Sequence, residues 1–214
     1  MNMRTTSRIL GLALGLTALS MPVARAATVT RVSVSGTTAN LNLVLAQPGS
    51  RPDCTVDLFV VLTASASVQR AGGGPASTGA VGFVQRIDNC AGTWEFGSFN
   101  VALPNAAFSS GNGSAAFTAT IPLVMECIPE GGTVNRTLVA ALQFTNVENN
   151  SVESRSFGMT RAPQFTIVTR GKSVSNAASA SGQLTLDGGS LLTPQASIVS
   201  TIESGSSATI DITR

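Results

Sequence analysis

From Phe117 to Cys127 every second residue is apolar, so Phe117, Ala119, Ile121, Leu123, Met125 and Cys127 share one face at the two-residue period of a pleated strand. A helical period would scatter those side chains around the axis. The same alternation recurs in Val32 and Val34, in Leu41, Leu43 and Leu45, and in the even-numbered positions from Cys54 to Leu62. Leu138, Ala140, Leu142 and Phe144 repeat it; Ala and Leu there also suit a helix, but Thr137, Val139, Thr145 and Val147 favour strand. Glycine, proline and asparagine clusters separate these runs, as at Gln47–Pro52, Pro104–Asn105, Ser109–Ser114, Pro129–Gly132 and Asp187–Ser190. Together they predict an all-β chain of about ten short strands, an antiparallel β-sandwich of jelly-roll-like or Ig-like kind.

Two irregularities are expected within the strands. Trp94 and Phe96 alternate in one phase while Phe99, Val101 and Leu103 continue in the other, which predicts a bulge at Gly97-Ser98. Pro122 lacks an N–H and predicts an edge or bulge position for its strand. Ala64 to Gly79, including the turn Gly72-Gly73-Gly74-Pro75, reads as a long loop of small residues, and Asn146 to Ser156 as a polar connection.

The chain opens on an address. Arg4 and Arg8 precede an apolar run from Ile9 to Leu19, followed by Pro22 and the A-x-A site Ala24-Arg25-Ala26. Residues 1–26 are therefore expected to be a secretory signal peptide cleaved near Ala26/Ala27, leaving residues 27–214 as a single domain, secreted or periplasmic. The apolar run is shorter than the roughly 20 residues of a membrane span, and no later stretch approaches that length. Without Arg4, Arg8 and Arg25, ten of the thirteen basic residues remain against eleven acidic ones, a net charge of −1. No run of basic residues is left and Lys172 is the single lysine, so neither nucleic acid nor an anionic membrane is an expected partner.

Cysteine usage fits export. Cys54, Cys90 and Cys127 allow three pairings, and an oxidising compartment favours at least one bridge. We expect Cys54–Cys90, because the two flank a hairpin; closing that loop contributes about 3–4 kcal/mol in the chain-entropy model. Cys127 is then a buried thiol at a strand end.

Chemistry is bounded mainly by exclusion. A chain without histidine or tyrosine has no Ser-His-Asp triad, Cys-His dyad, His-ligated zinc or phenolic acid. The cysteines form no C-x-x-C redox motif. Gly171-Lys172-Ser173 lacks the glycine a phosphate loop needs five residues earlier, where Thr166 stands, and reads as a lysine in a turn. Glycoside hydrolysis survives, because it needs only two carboxylates; Asp88, Glu95, Glu126 and Glu130 are the candidates. Trp94 is expected in the core rather than as a sugar platform. Calcium would need oxygen ligands, and Asp53, Asp57 and Asp187 lack the dense spacing of a dedicated loop. Asn112, Asn135 and Asn149 stand in glycan-acceptor patterns.

No catalytic residue, cofactor or metal ligand is thus expected. The small-residue, β-rich, low-aromatic composition is similar to that of exported pilus subunits, a likeness of composition without a shared motif. The expected function is an exported non-enzymatic β-sandwich with a structural, adhesive or ligand-binding role toward a carbohydrate or protein surface. The alternatives are a carboxylate-dependent glycoside hydrolase or lyase, and a surface assembly (fibre) subunit. Thiol titration of the mature protein should find one free thiol, Cys127, reactive only on denaturation; three free thiols would refute the bridge.

Overall fold

The computed structural model describes residues 28–69 and 76–213. The expected signal peptide, its cleavage site and the turn Gly72–Pro75 lie outside the described residues. The alternating runs form strands β1 (Thr28–Pro48), β2 (Thr55–Gln69), β3 (Ser77–Asp88), β4 (Thr93–Leu103), β5 (Phe108–Gly111) and β6 (Ser114–Ile128). They continue as β7 (Thr133–Ala162), β8 (Phe165–Leu186), β9 (Gly189–Ser190) and β10 (Ser197–Thr213). A single 3-10 turn at Asn105–Ala107 is the only helical piece among the described residues.

All pairings are antiparallel, and each long strand pairs with the next, in the order β1-β2-β3-β4-β6-β7-β8. β10 then pairs both β8 and β1, so the sheet closes on itself; β5 and β9 are short arms on β6 and β8. The all-β, antiparallel expectation holds. Its connectivity needs correction: hydrogen bonding defines one continuous ten-stranded sheet with a next-neighbour path, not the strand exchange of jelly-roll or Ig-like folds. The strands are also longer than expected, reaching 30 residues in β7. Most of Ala64–Gly79 and all of Asn146–Ser156 are strand, because adjacent strands give their backbone groups partners, with a register shift between Asn146 and Ser151.

Odd-numbered positions of β1 and β4 and even-numbered positions of β2 and β3 face inward. Leu41, Leu62, Gly82 and Phe99 form one cross-strand row, and Leu43, Val60, Val84 and Gly97 the next. Phe117, Ile121, Leu138, Leu142 and Leu184 complete a single apolar core from β6, β7 and β8. Size is matched across the first row: a Cβ on Gly82 would meet the carbonyl of Val61 and the ring of Phe99. β4 has no bulge at Gly97-Ser98, since its register with β3 is unbroken. The two phases arise because β4 is apolar on both faces, and Trp94 and Phe96 point outward, 39% and 37% exposed. Trp94 is thus not a core residue. Pro122 sits where β6 pairs β7 alone, because β4 reaches β6 only at Glu126–Ile128.

Cys54 and Cys90 are joined, just before β2 and just after β3, as expected. Gly49 packs against this bridge, where a Cβ would collide with the Cys90 sulfur and crowd that of Cys54. Cys127 is free, and it is half-buried rather than buried as expected. Removal of the Phe117 ring, fully buried, should cost about 3–5 kcal/mol in urea unfolding of Phe117→Ala; a loss under about 1 kcal/mol would place it outside the packed core.

Candidate functional site

The inward face changes character at both ends of the closed sheet. At one end the inward positions of β3, β4 and β7 turn charged, while Leu45 of β1 and Leu58 of β2 in the same row stay apolar and buried. Arg86 follows Val84 on β3, Glu95 precedes Gly97 on β4, and Arg136 precedes Leu138 on β7. Arg136 grips Glu95 with two N–H groups, Nε to Oε2 at 3.0 Å and Nη2 to Oε1 at 2.8 Å. Arg86 lies 3.4 Å from both Glu95 and Asp88, and Arg136 reaches Asp187 at 2.9 Å. The apolar core is therefore lidded by an ion-paired cluster in which every member is neutralised by a neighbour.

Local chain chemistry places these groups. Asp187-Gly188 links β8 to β9 in a tight turn with φ of +50° and +83°, the left-handed pair that Asp-Gly tolerates. Its carboxylate accepts the Thr137 N–H at 2.7 Å, and that bond, together with Arg136, holds Asp187 below the usual carboxylate range. Glu95 and Asp187, in turn, raise Arg136 above its ordinary value. Asp88 accepts the N–H groups of Ala91 and Cys90, tying the turn at the disulfide; the Ala91 bond first, then Cys90 and Arg86, lower its pKa.

The candidate carboxylates do not converge. Glu95 is clamped by two arginines, and Asp88 is joined to it only through Arg86. Glu126 pairs with Phe96 on the outward face, and Glu130 lies in the β6–β7 turn. Asp57 accepts a 2.8 Å bond from Asn89, while Asp187 serves Arg136 and Thr137. Among the described residues no group of three or more Cys, Asp or Glu side chains is placed to hold a metal. Asn112 has a positive φ in the β5–β6 turn and is exposed, and Asn135 lies on β7.

At the other end β2 runs beside β1 as far as Gln69, opposite Val34, and past it four strands continue among the described residues, in the order β7, β8, β10 and β1. Cross-strand partners share a face. The rows Thr37–Ser204–Val174–Glu153, Ser35–Ser206–Lys172–Arg155 and Ser33–Ala208–Arg170–Phe157 extend the inward face beyond Ala39 and Ile202. Arg31–Ile210–Val168–Met159 and Val29–Ile212–Thr166–Arg161 complete it. Arg31, Arg155, Arg161, Arg170 and Lys172 thus lie on one exposed face with Glu153 as its single acid.

Arg155 at 2.7 Å and Lys172 at 3.1 Å share Glu153, and these two bonds, Arg155 first, hold its pKa down. The Arg170 guanidinium sits 5.9 Å over the Phe157 ring. This face becomes the interior further along the same strands. The opposite face carries Gly36, Gly171, Gly205, Ser154 and Ser156.

The absence of a basic cluster, inferred from the sequence, is corrected here. The five cations are separated along the chain and meet only through register. Arg155 with Arg161, and Arg170 with Lys172, stand at even spacings, a signal that is usable only once both segments are known to be strand. Lys172 lies mid-strand, not in a turn.

Comparison of the chain with protein-family models, curated proteins and solved structures finds no match to any of them.

Because Asp187 is depressed in the folded state, its stabilisation is present above the unfolded value, about 3.9, and is lost as pH falls through the folded one. At 39% side-chain exposure, solvent screening keeps it below about 1 kcal/mol. Asp187→Asn should be less stable than wild type at neutral pH, with the gap closing as pH falls below the unfolded value, about 3.9. A gap independent of pH in urea titrations would assign the loss to turn geometry instead.

Proposed function

We propose that this chain is an exported, non-enzymatic β-module with a structural, adhesive or ligand-binding role, acting through its surfaces. In this reading residues 1–26 direct export and are removed near Ala26/Ala27, and residues 27–214 fold as one domain. The apolar face of β1–β4 packs against that of β6–β8, a sandwich-like flattening supported by the single core they share. The disulfide is weakly consistent with a secreted or periplasmic setting. No helix of the described residues is long and apolar enough to cross a membrane.

The observation that carries the reading is the state of Glu95. Its carboxylate accepts from Arg136 and Arg86, and the other candidate acids point elsewhere. A glycosidase needs one carboxyl held protonated opposite a second across the scissile bond. Here the interior is filled with leucine, phenylalanine and isoleucine up to the ion-paired lid.

The assembly-subunit reading has its own support. β7 from Ser151 to Ala162 pairs β8 alone and is exposed along its length, with Val152 at 70% and Phe157 at 63%. β1 from Thr28 to Ser33 pairs β10 alone among the described residues. Such edges are templates for another strand.

Incubation of the mature protein with a panel of neutral and acidic polysaccharides should release no reducing ends or unsaturated products. Turnover that Glu95→Gln abolishes would establish the hydrolase or lyase instead.

A further inference from the structure

One face of the four-strand end and the lidded end carry opposite charge; Glu203 and Asp211 lie on the other face of the four-strand end, whose net charge as a whole is +2. On the face that continues the interior, five cations stand against Glu153, a net of +4. At the lidded end the cluster holds Asp88, Glu95 and Asp187 against Arg86 and Arg136. Asp53, Asp57, Glu126 and Glu130 add to it there, and Arg51 is the one further cation, for a net of −4. Asp53, Glu126 and Glu130 are exposed and have no ion-pair partner among the described residues.

Apolar surface accompanies charge at both places. Phe157 and Met159, 63% and 48% exposed, lie among the cations. At the acidic end Trp94, cross-strand from Ile128, shares the outward face with Glu126, the partner of Phe96, and it is 39% exposed. Each patch therefore combines unpaired charge of one sign with exposed aromatic surface, and the two signs are complementary.

We propose that the basic face of one copy receives the acidic lidded end of the next, so that the protein associates head to tail. The proposal rests on the assembly-subunit reading and names its partner, a second copy of this chain. The contact is heterologous: the surfaces that meet are different, each copy retains one of each, and association continues rather than stopping at a pair. Arginine suits the receiving face, since its planar fork binds carboxylates in a fixed geometry.

The test is sedimentation velocity of the mature protein with two charge-reversed variants, Arg161→Glu with Arg170→Glu, and Glu126→Arg with Glu130→Arg. None of these four groups belongs to the ion-paired lid or to the Glu153 pairs. Wild type should show a sedimentation coefficient that rises with concentration at about 20 mM salt and falls to the monomer value at about 500 mM, where screening is short-ranged. Each variant alone should associate at least about tenfold more weakly. An equimolar mixture of the two should regain association, because the reversed face of one fits the reversed end of the other; that recovery also excludes misfolding as the cause.

Association that ignores salt and both reversals would overturn this contact while leaving assembly through strand edges in place. A protein monomeric at every concentration and salt would overturn both. A monomer that instead binds heparin or phosphatidylserine vesicles, and loses that binding on reversal of Arg161 and Arg170, would assign the face to a polyanion or a membrane and sink the proposal.

Discussion

The pairing of β10 with both β1 and β8 is the contact on which the rest of this structure depends. It turns a meander into a closed sheet, and closure gives the alternating strands a common inside. Without it Leu41, Leu62, Phe117 and Leu142 would belong to an open ribbon with one face in water. With it they share a core, and the backbone groups of the central strands are satisfied on both sides. The seam between β4 and β6 is by contrast short, limited to Trp94–Phe96 against Ile128–Glu126.

Because the strands differ in length and stagger, closure does not extend over the whole molecule. At one end the inward positions of β3, β4 and β7 pass from apolar to charged within one row, and Arg86, Glu95 and Arg136 neutralise one another above the core. Burial of these groups is tolerable only because each has a partner within hydrogen-bonding range. At the other end β7, β8, β10 and β1 run on as four strands. The side chains that would have filled an interior are there exposed, and chemistry changes accordingly, from leucine to serine, arginine and lysine. One inward face thus serves as core, lid and open surface along its length.

What could be read from residues differs from strand to strand. β6 was legible in full, since six apolar residues alternate without interruption. The bridge was legible because Cys54 and Cys90 sit just outside the two strands of a hairpin. β4 was half legible: the two phases of Trp94–Phe96 and Phe99–Leu103 are real, yet they reflect two apolar faces and not a bulge. The second half of β7 was not legible at all. Asn146 to Ser156 has no apolar alternation, and it is strand because β8 lies beside it. The same holds for Asn176 to Ser181, whose small residues carry no face preference of their own.

Period-two patterning, turn residues and cysteine placement are local properties, so the chain by itself pointed to an antiparallel all-β protein, to the core face of its regularly alternating strands and to the Cys54–Cys90 bridge. Closure, and with it the meeting of Arg31 with Arg155, Arg161, Arg170 and Lys172, was decided only in three dimensions. Those residues belong to three strands, β1, β7 and β8, with β10 between β1 and β8. Cross-strand register is a relation between distant segments, and a slip of one residue would send each strand's cations to the opposite face. Charge along the chain is therefore silent about charge on the surface until the backbone pairing is known.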